Sequence, residues 1–199
     1  MSEIHKKTFK IEGCEISCLT AGNPDDRVII LLHGMKFRAA TWQNLGTLQQ
    51  LADAGFYAVA VDMPGFGDSP ACSATNDTII EKLIRATGHD RVVLAGPSMG
   101  GRTALEFTIS HQAQVAALVL VGAVGVEENR QYLGSINVPV LIVWGSDDQI
   151  SPLSNCMLLA DSIADSRKII IDGAPHPCYL DNPDRWHTEL IKFLSPLTY

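Results

Sequence analysis

Apolar residues follow two rhythms along this chain, and their alternation predicts the architecture. Short β-branched runs recur between segments whose apolar residues fall three or four apart, the pattern of strands joined by helical crossovers. Residues 7–11 and 15–19 alternate apolar and polar positions around Glu12-Gly13-Cys14 and read as an antiparallel hairpin at a sheet edge. Beyond Gly22-Asn23-Pro24 the run 28–32 is almost wholly apolar, as expected of a strand covered on both faces. Trp42, Leu45, Leu48 and Leu51 then keep helical spacing and predict one amphipathic helix over 41–54, stopped by Gly55. Further strands are expected at 57–61, 91–95, 115–121, 138–143 and 168–171, and further helices at 77–86, 99–110 and 153–164. A last helix should begin with Asn182 as cap and Pro183 in its first turn, running to Leu194. Together these make an α/β chain, one domain over 1–199, with an eight-stranded, mostly parallel sheet and helices on both faces. Ligands of such sheets gather at the carboxyl ends of the strands, so chemistry is sought in the loops there.

Charge narrows the partners. Fifteen basic residues against 22 acidic ones give a formal charge of −7, which disfavours nucleic acid and anionic membrane surfaces. No apolar run reaches the length of a spanning helix, and the first ten residues have no apolar stretch behind their lysines, so a cytoplasmic location is expected. The five cysteines form no C-x-x-C pair, and reduced thiols are expected, with Cys178 packing in a pocket wall. Neither a metal nor a cofactor is expected.

The loops supply candidate chemistry. Gly96-Pro97-Ser98-Met99-Gly100 follows a strand and opens a helix, the setting in which a G-x-S-x-G turn lifts a serine hydroxyl above the sheet. Side chains at the two glycines would collide with nearby backbone, and the helix beginning at Ser98 aims its amides at the site. His33-Gly34-Met35 ends the first buried strand, which makes the amides of Met35 and Met99 the candidate oxyanion donors. His33 itself is expected to be structural.

A serine hydroxyl needs a base, and the base needs a carboxylate to fix its tautomer. His176 lies just past the last strand, and Asp147-Asp148 past the one before, in the order Ser, acid, His. The Gly-x-x-Asp spacing from Gly145, usual in this fold, favours Asp148 over Asp147.

These motifs, with Asp62-Met63-Pro64-Gly65-Phe66-Gly67-Asp68-Ser69, resemble the α/β-hydrolase superfamily. Three less common strings are similar to the alpha/beta hydrolase domain-containing protein 14 family, the transcription-factor-interacting type of hydrolase. They are His33-Gly34-Met35-Lys36-Phe37-Arg38, then Thr41-Trp42-Gln43-Asn44-Leu45-Gly46-Thr47-Leu48, then Gly173 to Asp181 followed by Trp186-His187-Thr188. The resemblance implies a triad at Ser98, Asp148 and His176 acting on short acyl esters, and transfer of acetyl groups from lysine to coenzyme A. Only residues 122–137 separate the sixth strand from the seventh, too few for a lid subdomain, so an open site is expected. Its walls are expected from Phe37, Arg38, Met99, Val124, Ile150 and Tyr179, with Arg38 contacting an acidic group of substrate or acceptor. A serine hydrolase of short-chain acyl esters, working through an acyl-enzyme, is the reading these residues favour. Acyl transfer to coenzyme A and a non-catalytic interaction protein on the same scaffold are the alternatives.

Overall fold

The computed structural model describes residues 2–198. Its one sheet has eight strands: β1 (Ile4–Ile11), β2 (Cys14–Ala21), β3 (Arg27–Leu31), β4 (Phe56–Val61), β5 (Val92–Pro97), β6 (Val115–Val121), β7 (Val140–Gly145) and β8 (Ser166–Ile171). They lie in the order β1-β2-β4-β3-β5-β6-β7-β8. The β1–β2 hairpin is antiparallel, β2 also pairs antiparallel with β4, and every pair from β4 to β8 is parallel. Strands β4 to β7 are buried at every position, which is why their sequences are continuous apolar runs rather than alternating ones. The outer strand β1 instead turns Lys6, Lys7 and Lys10 to solvent.

The helices are α1 (Ala39–Asn44), α2 (Thr47–Asp53), α3 (Asn76–Ala86), α4 (Ser98–Ser110), α5 (Arg130–Leu133), α6 (Leu153–Ser162), α7 (Cys178–Asp181) and α8 (Pro183–Leu194). Alternate residues of each strand feed different cores. On one face Val28, Ile30 and Leu32 pack with Ile80 of α3, Leu105 of α4 and Leu159 of α6. On the other, Ile29 and Leu31 pack with Trp42, Leu48, Leu51 and Trp186 from α1, α2 and α8. The caps read from sequence form: the Asn182 side chain accepts from the Arg185 amide at 3.1 Å, and Pro183 occupies the first turn.

Two expectations are corrected. The helix read over 41–54 is two helices, α1 and α2, because Gly46 takes φ +82° and swings the chain between them. Apolar spacing runs straight through that glycine, since Trp42 and Leu48 both face the same core, so periodicity alone could not mark the break. Nor are the cysteines all reduced. Cys14, opening β2, is bonded to Cys72 in the loop after β4, with Cα atoms 5.7 Å apart, whereas Cys18, Cys156 and Cys178 are free and buried. The pair is 58 residues apart in sequence and meets only because β4 lies beside β2.

The chain leaves β3 for β4 on one side and returns to β5 on the other, so the carboxyl ends of β3 and β5 flank a topological switch point. Between β6 and β7 there is one short 3-10 turn (Glu127–Asn129) and α5, anchored by buried Leu133 and Ile136, with no lid subdomain. No helix among the described residues is long and apolar enough to cross a membrane.

Candidate active site

Ser98 heads α4 at the carboxyl end of β5, with φ +51°, one of two non-glycine residues with positive φ among those described. Such a backbone costs on the order of 1–3 kcal/mol and persists only where its surroundings enforce it. The glycines around it supply the enforcement. A Cβ on Gly96 would lie 2.4 Å from the Gly100 carbonyl carbon, and one on Gly100 would lie 2.7 Å from the His33 oxygen. Only bare backbone lets β5, α4 and the loop after β3 approach so closely.

The acid and base loops are clamped together. A Cβ on Gly145 would sit 2.2 Å from the Ala174 carbonyl, and the Asp147 amide donates to that same carbonyl at 3.0 Å. The Gly173 amide donates to Ser146 Oγ at 2.8 Å. This apposition brings His176 Nδ1 within 2.9 Å of Asp148 Oδ1 and 2.8 Å of Oδ2. Asp148 is buried, and its Oδ1 also accepts the amides of Ile150 and Ser151, each at 2.8 Å. A buried carboxylate needs such donors, and here they leave it facing the imidazole. The Asp147 side chain, by contrast, is on an exposed residue and bonds only locally, accepting from Ser146 Oγ at 2.9 Å.

One contributor escaped the sequence reading. Gly122, at φ +51° just past β6, would place a Cβ 3.0 Å from Asp148 Oδ2 and 3.3 Å from His176 Nδ1. Its role is to be empty, and an absent side chain gives no chemical signal in a sequence.

Ser98 and His176 open into one cavity of about 460 Å³, at the carboxyl ends of β3, β5 and β8. Met35, Phe37, Met99, Val124, Ile150 and Tyr179 line it, as do Lys36 and Pro177, which sequence did not single out. Met99 is the second residue of α4, where the helix offers no acceptor for its N–H. Met35 and Ile150 stand at the rim, 67% and 65% exposed, while Tyr179 is buried.

Arg38 is a correction. Its side chain lines a separate hollow of about 230 Å³ with Asp62 and Asp68, outside the cavity of Ser98. Its field reaches Asp68, whose carboxyl is held below the usual range chiefly by the Lys6 hydrogen bond, with Arg38 a smaller influence. Arg38 itself is extended, at φ −154° and ψ 176°, just before α1.

Two other groups keep structural parts. His33 is buried, and its Nε2 accepts the Met63 amide at 3.1 Å, so Nδ1 carries the proton and donates to the Gly34 carbonyl at 2.8 Å. Burial lowers its pKa below 6.5 and keeps the ring neutral. The Cys178 thiol is pushed up to about 12 by burial, with the Asp148 charge adding to the effect, so it stays protonated and inert.

Comparison with known proteins agrees with this architecture. The family model described as alpha/beta hydrolase fold matches residues 27–129 and 125–183. The rat protein ABHD14B (Rattus norvegicus), named as a candidate protein-lysine deacylase, is 36% identical over 177 residues, covering 85% of this chain and 83% of its own. Zebrafish ABHD14A (Danio rerio) is 35% identical over 176 residues, covering 85% of this chain and 64% of its own. Among solved structures, a CIB-like hydrolase of Thermoplasma acidophilum superposes with a TM-score of 0.95 at 25% identity, over 99% of this chain and 100% of that one. The 2-hydroxy-6-oxo-6-phenylhexa-2,4-dienoate hydrolase of a Rhodococcus strain shares the fold at 19% identity, with a TM-score of 0.86 over 97% and 99% of the two chains. With the family model spanning most of its length and relatives at these identities, the chain belongs to the alpha/beta hydrolase fold family and, within it, to the ABHD14 group.

Proposed function

We propose that the chain is a serine hydrolase that cleaves short-chain acyl esters, with Ser98 as nucleophile, His176 as base and Asp148 as its orienting acid. The observation carrying this reading is the placement of Ser98, at φ +51°, in the same cavity as an imidazole whose Nδ1 lies 2.8 Å from a buried carboxylate. With Nδ1–H committed to Asp148, Nε2 is the free lone pair. His176 Nε2 takes the hydroxyl proton as Ser98 Oγ bonds to the acyl carbon. The carbonyl π pair moves onto oxygen, where the amides of Met35 and Met99 receive it. The oxyanion re-forms the carbonyl, the alcohol leaves with the proton from His176, and the acyl group stays on Ser98. Water then attacks, again giving its proton to His176, and the acid product departs as Ser98 recovers its hydrogen.

The substrate pictured is a small acyl ester in a largely apolar cavity of about 460 Å³. A second reading, an acylated lysine side chain as substrate with coenzyme A or water as acceptor, is favoured by the name of the rat relative and by the open rim at Met35 and Ile150.

A fluorophosphonate probe tests the nucleophile. Labelling should be lost in Ser98→Ala and retained in Lys192→Met on the far helix α8; labelling that survives in Ser98→Ala overturns the assignment. Turnover of p-nitrophenyl acetate, butyrate and octanoate should fall with chain length. Release of acetate from an acetylated peptide, with and without coenzyme A, distinguishes the second reading.

A further inference from the structure

The charge around the cavity is at odds with that of the chain. The protein carries a formal charge of −7, with 22 acidic residues, yet no carboxylate lines the cavity that holds Ser98. The lining is apolar apart from backbone, Ser98, the buried Tyr179, His176 and one ammonium, that of Lys36. Lys36 is exposed and has no ion-pair partner among the described residues, so its charge is not spent on a neighbour.

Its position also says which part of a substrate it would meet. The inner end of the cavity is closed by buried Tyr179 and half-buried Phe37, and suits a small apolar acyl group. Met35, Lys36 and Ile150 are the exposed residues of the lining, so with the acyl group in the shielded part the leaving portion of an ester bound at Ser98 would emerge beside them. A lone ammonium beside exposed apolar side chains draws an anionic group there, and screening by salt weakens the attraction.

We propose that Lys36 is a specificity-determining residue that selects acyl substrates whose leaving group carries a negative charge, a carboxylate or a phosphate. The proposal rests on the serine-hydrolase reading and names the class of substrate that site prefers. Lys36 takes no part in bond making; it binds the anion in ground and transition states alike, so its effect falls mainly on KM.

The test compares 4-acetoxybenzoate with methyl 4-acetoxybenzoate, two phenyl acetates that present the same acyl group and differ in the charge of the leaving phenol. Their intrinsic reactivities differ, so the measured quantity is the ratio of kcat/KM for the two esters, compared across the wild type, Lys36→Met, Lys36→Glu and the remote control Lys192→Met. The anion-to-neutral ratio should fall about threefold to fivefold in Lys36→Met, further in Lys36→Glu, and not at all in Lys192→Met. The loss should appear as a raised KM for the anion, and 0.5 M sodium chloride should lower the wild-type ratio towards that of Lys36→Met. Phenyl phosphate carrying a 4-acetoxy group, run alongside, separates preference for phosphate from preference for carboxylate. Turnover of the neutral ester with a ratio unchanged in Lys36→Glu overturns this proposal alone. Absence of turnover of every ester by the wild type, or turnover that survives in Ser98→Ala, overturns the serine-hydrolase reading and this proposal with it.

Discussion

At Gly122 a single hydrogen stands where any other residue would press a methyl group on the His176–Asp148 pair. Gly122→Ala would put Cβ 3.0 Å from Asp148 Oδ2 in a backbone already at φ +51°. Because small misplacements of catalytic groups are costly, kcat for p-nitrophenyl acetate should fall about 10²-fold, with circular dichroism confirming a folded chain. Asp148→Asn keeps the shape but removes the charge and favours the wrong imidazole tautomer, so kcat should drop on the order of 10³ to 10⁴-fold. His33 makes the opposite kind of contribution, to stability through pH. Its pKa in the fold is lowered from 6.5 by burial, and that of His187 shifts the same way, so below pH 6.5 the unfolded chain binds protons that the native chain refuses. Stability is therefore full above 6.5 and declines as pH falls towards the lowered native values. Urea midpoints measured between pH 7.5 and 5.5 should show this decline, and His33→Gln, which can still accept from Met63 and donate to Gly34, should flatten it.

At the scale of elements, local strings were readable and long-range meetings were not. The elbow at Ser98 and the cap at Asn182 are each written within five residues, and the chain order of the loops sufficed to nominate His176. The direction of Arg38, the space at Gly122 and the Cys14–Cys72 pair depend on what lies opposite after folding, which the local sequence does not encode. The break between α1 and α2 lies between these cases. Gly46 was in plain view, but continuous apolar spacing concealed its φ of +82°. A Cβ there would touch nothing within 4 Å, so Gly46→Ala isolates backbone strain and should lower stability by about 1 kcal/mol, read from the urea midpoint. The disulfide fastens the hairpin to the loop after β4 and closes a separation of 58 residues. Chain-entropy arguments assign such a closure about 4 kcal/mol, so reduction by dithiothreitol should lower the thermal midpoint by several degrees. Thiol titration checks the pairing: the native chain should expose none to Ellman's reagent, the denatured chain three, and the denatured and reduced chain all five.

Across the whole molecule the division of labour is spatial. Two cores, one on each face, hold eight strands in place, and the loops that carry Ser98, Asp148 and His176 all leave from the same end of the sheet. The other unfinished part of the molecule is its border. A sheet that does not close on itself keeps a row of unsatisfied peptide groups along each of its two outermost strands, and on one of them, β1, Lys6 is paired with Asp68 while Lys7 and Lys10 are exposed with no ion-pair partner among the described residues. A second molecule trying to extend the ladder would bring its own lysines against these, so repulsion between copies guards the border against intermolecular strand addition and fibre growth. Replacing Lys7 and Lys10 with threonine would leave the Lys6–Asp68 pair in place yet should shorten the time to turbidity at 45 °C, as followed by light scattering.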